Sequence, residues 1–276
     1  AVIISHMRGH TSDMDAIMTL CDARSIPVIE DAAHSLGTTW HGRNIGTIGR
    51  VGCFSFQSYK LVNAGEGGIL ITDDADLVAR AVIMSGAYEH NWAKHMAGDD
   101  AGLSAAFAAH QNQLPLYNLR LSNLSAAIIR PQLDEIPRRV LDGRTGHDRV
   151  AAQLDSSRWM NVPAKLTPEE RAPDSIQFNL VDMSDDEAAA FAQAAARRGV
   201  KVQVFGASAD NARAFWNWQF IPGPVPDLPR TRAMLSRACD TRLPARLTAA
   251  EQNAIAAALL GAADEVMGYP QAAFGT

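Results

Sequence analysis

The chain has 276 residues, 47% of them hydrophobic and 20% charged, with a formal net charge of -5. That is the make-up of an ordinary globular chain long enough for two domains, and it argues against a disordered protein or a basic nucleic-acid binder. No stretch reaches the roughly 18 consecutive apolar residues of a membrane helix, so neither nucleic acid nor membrane is an expected partner. The three cysteines, Cys21, Cys53 and Cys239, are far apart with no CxxC. They suggest neither a disulfide framework nor a zinc site, and an odd count of thiols suits a reducing cytoplasm. The opening AVIISHMRGH turns polar too early for a signal peptide.

In chain order, Val2 to Ser5 reads as a strand. Ser12 or Asp13 then caps a helix over Met14 to Ala23, with Met14, Ile17, Met18 and Cys21 on one face. Pro27 opens a second strand and Asp31 ends it. Residues 34 to 49 read as glycine-punctuated connection. Val51 to Phe56 is a third strand, Lys60 follows at its exit, and the cluster Gly65, Gly67, Gly68 leads into another apolar run to Thr72. A helix is predicted from Asp74 to Ser85. Strand and helix alternate in the way that implies a largely parallel sheet covered by helices. From Gly86 to Pro115 the pattern dissolves into polar and small residues, among them His90 and His95, and reads as a long loop. A histidine pair of this spacing without carboxylates is read as solvent-exposed and not as a metal site.

Further on, Asn118 to Ser122 precedes a long helix that Pro131 and Pro137 are expected to kink or break. SIQFNLVD (175–182) alternates as a strand, Asp185 to Arg198 is an alanine-rich helix closed by Gly199, and Val200 to Phe205 is another strand. Ala214 to Phe220 packs four aromatics into seven residues, a pocket wall or plain core. The end, Leu247 to Met267, reads as a capped helix.

Two positions carry the chemistry. Asp31 stands at the carboxyl end of a strand, where open α/β sheets bind ligands. Lys60 lies between two apolar runs, an odd place for a residue that is normally at the surface. A surface loop is the commoner fate of a lysine. Partial burial, however, lowers a lysine's pKa and frees a nucleophilic amine. A carboxylate and such a lysine on neighbouring strand ends suit pyridoxal phosphate (PLP), the lysine forming the Schiff base and the carboxylate pairing with the pyridine nitrogen.

The ordered set Glu30-Asp31-Ala32-Ala33-His34, Phe54-Ser55-Phe56, Lys60 and Gly65-Glu66-Gly67-Gly68 resembles the EDAA(Q/H), FSF, K and GEGG pattern of the DegT/DnrJ/EryC1/StrS family of sugar aminotransferases. Asn118-Leu119-Arg120-Leu121-Ser122 resembles that family's N(Y/F)RM(S/T) segment. The resemblance implies an α/β, fold-type I PLP-dependent transferase with a mainly parallel large domain and a small α+β C-terminal domain. It implies residues 1–117 as part of the large domain, 118–153 as a connecting long helix and 154–276 as the small domain. Lys60 and Asp31 are then catalytic, while His34 meets the ring oxygen, Ser55 the phosphate, and Asn118 the cofactor of a partner subunit. The implied activity moves an amino group from an amino acid, glutamate or glutamine, to a keto-sugar or related small ketone, in a homodimer.

Family members carry a phosphate-cradling segment ahead of the first strand seen here. The chain is therefore expected to start partway through the large domain, as a fragment or beside a separate N-terminal segment. Two other readings compete. Gly46, Gly49 and Gly52 suggest a dinucleotide fold, but they lack the GxGxxG spacing and precede a strand. A dehydratase-like enzyme, a binding or regulatory protein or an inactive fragment would keep the fold without transamination, although relatives without that activity often lose the lysine retained here.

Overall fold

The structure, a computed structural model, describes residues 1–87, 91–95, 100–207, 212 and 214–268. The chain runs β1 (Val2–Ser5), α1 (Met14–Asp22), β2 (Val28–Asp31), β3 (Thr39–Trp40), β4 (Arg43–Asn44), β5 (Val51–Ser55) and β6 (Gly68–Ile71). Four helices follow: α2 (Ala75–Met84), α3 (Ala101–His110), α4 (Asn123–Leu133) and α5 (Ile136–Leu154). Then come β7 (Met160–Asn161), β8 (Glu169–Glu170), β9 (Ser175–Leu180), α6 (Asp185–Arg197), β10 (Gln203–Val204), α7 (Pro229–Leu235), β11 (Ala238–Arg242) and α8 (Ala249–Val266). Two units result, Ala1–Arg138 with Leu166–Ala172, and Arg139–Lys165 with Pro173–Thr276.

The first unit is built on the sheet β1-β2-β5-β6. β1 and β5 both flank β2 in parallel, and β6 closes the edge antiparallel to β5. The expected mainly parallel sheet is thus present. α1 forms where the apolar spacing placed it, and Asp13 caps it by accepting from the Ala16 amide at 3.0 Å. Its Met14 and Cys21 are buried with Val28, Trp40 and Ile45. A fully buried side chain such as Met14 contributes about 1.5–3 kcal/mol.

Three sequence expectations need correction in these elements. Residues 34 to 49 are not bare connection: β3 and β4 pair there, and β8 joins them from more than a hundred residues later. The stretch 86–115 is not a structureless loop, since it holds a 3₁₀ turn at Asn91–His95 and the whole of α3. Asp100 caps α3 through the Leu103 amide at 2.9 Å, and its Phe107 stacks on Trp92 with ring centroids 4.1 Å apart. The strand expected over Val200 to Phe205 shortens to Gln203–Val204. The predicted break near the prolines is there: α4 ends at Leu133 and α5 starts at Ile136. Pro137 falls in the first turn of α5, where a missing N–H costs nothing.

The second unit holds an antiparallel sheet in the order β10-β11-β9-β7. Ile176, Phe178 and Leu180 of β9 bury against Phe191 of α6 and Leu259 of α8, with Phe178 and Phe191 edge to face at 6.0 Å. Capping boxes start both helices, Ser184 with Glu187 and Thr248 with Glu251. In the aromatic stretch Phe215 is buried, whereas Trp218 and Phe220 are exposed and Arg232 lies 4.2 Å over Trp216. Among the described residues no helix is long and apolar enough to cross a membrane.

Candidate active site

Alternation along β2 sends neighbouring side chains to opposite faces, and the register decides who meets whom. Asp31 is aligned with Ser5 on one side and Cys53 on the other, and Ser55 lies two residues further along β5 on the same face. All four sit toward the carboxyl end of the parallel strands, the end that binds ligands in such sheets. Asp31 is held there by two donors. Ser5 Oγ donates to its Oδ2 at 2.6 Å, and the Ala33 amide to its Oδ1 at 3.2 Å.

The turn after β2 is pinned by the Ala32 amide on the Cys53 carbonyl at 2.9 Å and the Ser35 amide on the Ala32 carbonyl at 2.9 Å. This fixes His34 in the turn just past the strand end. Past β5 the chain closes a tight loop. The Phe56 amide donates to the Gly67 carbonyl at 2.8 Å and the Ser58 amide to the Gly65 carbonyl at 2.8 Å. Gly65 and Gly67 adopt φ of +85° and +144°, which only glycine takes without strain. A Cβ on Gly67 would also meet Leu121 at 2.8 Å. Below the loop Val62 is fully buried with Phe56 and Ile129. The result is that Lys60 Nζ stands 2.9 Å from His34 Nε2. Burial first, and then the charge of Asp31, push the Cys53 thiol up, so it stays protonated beside the carboxylate.

The five sequence-predicted residues therefore sort into three groups. Lys60 and His34 meet directly, and Asp31 shares its sheet face with Ser55, whose Oγ accepts from the Gln57 amide at 3.3 Å. Asn118 stands elsewhere. It is exposed and lines a cavity of about 760 Å³ with Val82, Trp92 and Phe107. The Tyr117 and Leu119 amides fasten that segment to the end of α2 through the Met84 and Ser85 carbonyls, each at 2.9 Å. His90 and the His95 side chain lie outside the described residues. Among the described residues no cluster of metal-ligating side chains occurs.

Sequence reasoning passed over Glu30, which is fully buried on the opposite face of β2. Its Oε1 accepts from the amides of Ile48 at 2.7 Å and Gly49 at 2.6 Å, its Oε2 from that of Gly46 at 2.8 Å, and His6 Nε2 donates at 3.2 Å. Burial works against the charge, but His6 and the Gly46, Gly49 and Ile48 amides outweigh it and hold the carboxyl below its ordinary range. The signal was available in outline: alternation puts Glu30 beside Val28 in the core, and a buried carboxylate demands donors. Glu169, also buried, was passed over too. It accepts from Arg171 Nε at 2.5 Å and from the Thr11 amide at 3.3 Å.

A mainly parallel sheet with Asp31 at the carboxyl end of one strand, followed by the turns that carry His34 and Lys60, has the architecture of the fold-type I, PLP-dependent class of protein. The residues present fit that cofactor in kind: Lys60 supplies an amine, Asp31 a carboxylate at a strand's carboxyl end, and the turn at Gly65 and Gly67 fixes the loop that carries the lysine. The chain belongs to the DegT/DnrJ/EryC1/StrS aminotransferase family, whose model matches residues 1–260. It is 32% identical over 175 residues to the L-glutamine:scyllo-inosose aminotransferase of Streptomyces griseus, covering 63% of this chain and 38% of that protein. It is 33% identical over 135 residues to the GDP-perosamine synthase of Escherichia coli O157:H7, covering 49% and 33%. The matched part thus spans well under half the length of these curated relatives. Among solved structures, the aminotransferase TlmJ from Streptoalloteichus hindustanus superposes with a TM-score of 0.77 at 20% identity, over 96% of this chain and 66% of that one. At that identity the likeness concerns the fold.

Proposed function

We propose that this chain carries the lysine and ring-binding side of a PLP-dependent aminotransferase that transfers an amino group from glutamate or glutamine to a keto-sugar or related small ketone. The observation that carries the reading is Lys60 Nζ at 2.9 Å from His34 Nε2, His34 lying three residues past Asp31 in the turn after β2. The Streptomyces and Escherichia relatives act, by their names, on an inosose with L-glutamine and in GDP-perosamine synthesis, and so favour this substrate class.

The bound cofactor would supply an electron-withdrawing ring that accepts the electron pair left when the donor's α-carbon loses its proton. Lys60 would hold the cofactor between turnovers, and its Nζ would then take the proton from that carbon and return it. His34 orients the amine through its Nε2. Asp31, steadied by Ser5 and Ala33, would keep a proton on the ring nitrogen. Ser55 would contribute to the phosphate and Asn118 to a second subunit's site. Exposed apolar side chains along 116–133, with Leu119 and Leu124 each 73% exposed, support a homodimer. Three free cysteines support a reducing, cytoplasmic setting.

The test is borohydride reduction of the protein mixed with PLP, followed by peptide mapping. A phosphopyridoxyl group on the Lys60 peptide is expected. Modification at other lysines, with Lys60 untouched, would overturn the assignment.

A further inference from the structure

We infer that Glu30 is a positioning residue for Asp31: from the far side of β2 it locks the strand end that presents the ring-binding carboxylate. The inference rests on the proposed role of Asp31. Its geometry is independent of that role. Glu30 and Asp31 are consecutive, so any shift or twist of β2 that moves one moves the other. On the Glu30 side the turn 46–49 wraps three amides around the carboxylate, a backbone nest for an anion. That turn is pressed onto the sheet. A Cβ on Gly52, the β5 residue in register with Glu30, would meet the Gly46 carbonyl oxygen at 2.0 Å, and one on Gly49 would meet the Val28 carbonyl at 2.7 Å.

His6 connects the nest to the site. Its ring donates to Glu30, its amide donates to the Asp31 carbonyl at 2.9 Å, and its carbonyl accepts from Ser35 Oγ at 2.8 Å in the turn that carries His34. One buried carboxylate therefore organises the ends of β1 and β2 and, through the nest, the approach to β5. Stability alone is a poor reason for it. Burying a carboxylate costs solvation, and a well-packed apolar side chain would serve a fold at least as well. Placement is the better reason, since misplacing a binding group by about 1 Å costs on the order of a hundredfold in rate.

The experiment compares two cofactors on the full chain: PLP, and a carbocyclic analogue in which C–H replaces the ring nitrogen. Affinities are read from absorbance and fluorescence titration, not from turnover. The wild-type chain should prefer PLP, because only PLP engages Asp31. Glu30→Gln keeps the shape but breaks the pattern of one acceptor facing several donors. It should weaken PLP binding about tenfold, the size of one charge-assisted hydrogen bond misaligned, and leave the analogue unchanged. Equal losses for both cofactors, or no loss for either, would overturn the positioning role. If Glu30→Gln does not fold, His6→Asn, which leaves the three nest amides in place, takes the same comparison with the same readings. A wild-type chain that binds neither cofactor, or both equally, would instead overturn the Asp31 reading beneath it.

Discussion

In β9 of the second unit, Ile176, Phe178 and Leu180 are all buried and every second side chain serves the core. In β1 of the first unit, Ile3 is 68% exposed, and β2 beside it ends on a half-buried aspartate. Both are short strands with similar apolar content, yet one sheet is closed over and the other leaves a face available. The difference lies in the segment after each strand. β9 leads into α6, whose Ala188, Phe191, Ala194 and Ala195 are buried against it. β2 and β5 lead into polar turns that gather His34 and Lys60 at the strand ends. On the proposed reading the carboxyl ends of the first sheet serve a ligand, while the second sheet serves its own core.

The largest expected effect breaks the open sheet's side of this contrast. On the proposed assignment Lys60→Ala should cut turnover by about 10⁴-fold or more, the upper range for loss of a positioned proton-transfer group, because the cofactor's anchor would be lost as well. Lys60→Arg should fail equally, since a guanidinium stays protonated and cannot take the proton. Both should melt close to the wild type, Lys60 being a loop residue. Normal turnover by either variant would end the assignment. Phe178→Ala strikes the closed sheet instead. It should cost about 3–5 kcal/mol of stability, measured by urea unfolding, through the cavity left opposite Phe191. If Phe178→Ala unfolds at the wild-type urea concentration, the second core is not packed as described.

Asp31→Asn is a smaller change on the open face. The single amide oxygen still accepts from one of the two donors, the Ser5 hydroxyl or the Ala33 amide, and the neutral group cannot hold a pyridinium proton. Cofactor affinity should fall about ten- to a hundredfold, the range of one charge-assisted hydrogen bond. Unchanged affinity would show that the carboxylate faces no ring nitrogen.

How much of this is readable in the sequence depends on the distance over which each feature is decided. Asp31 and Lys60 stood out as candidates because each lies at a strand end marked by local signals, the glycines after Lys60 above all, whereas His34 came in only through the family resemblance. The Glu30 nest was not. Its donors are main-chain amides at 46, 48 and 49, and no residue type announces an amide. The same glycines suggested a poor dinucleotide fingerprint, when their service is to let the turn lie against β2 and β5. β3, β4 and β8 were missed because two-residue strands carry no period and β8 arrives from residue 169. α3 was missed for a different reason. AGLSAAFAAH is apolar all round and shows no amphipathic stripe, although Asp100 at its cap and its alanines were signal enough.

The smallest effect sharpens the comparison at the closed unit's edge. Ser184 caps α6 by accepting from the Glu187 amide at 3.2 Å, and Glu187 Oε2 accepts from the Ser184 amide at 2.7 Å. The Ser184 amide and then the Ser184 hydroxyl hold the Glu187 carboxyl below its ordinary value of 4.5. A carboxyl lowered in the folded state adds stability above its unfolded value, and that share is lost as pH falls through the folded one. Ser184→Ala removes the N-cap acceptor itself and should cost about 1 kcal/mol near neutral pH. The gap to the wild type should narrow as pH falls below the ordinary value of 4.5, because protonation of Glu187 removes the share of the wild type's advantage that its carboxylate supplies. Cofactor affinity should be untouched, because the cap belongs to the sheet that serves itself. Urea unfolding of the two proteins at about pH 7 and about pH 3.5 checks this. A gap that stays constant across that range would show that the hydroxyl acts without its glutamate partner.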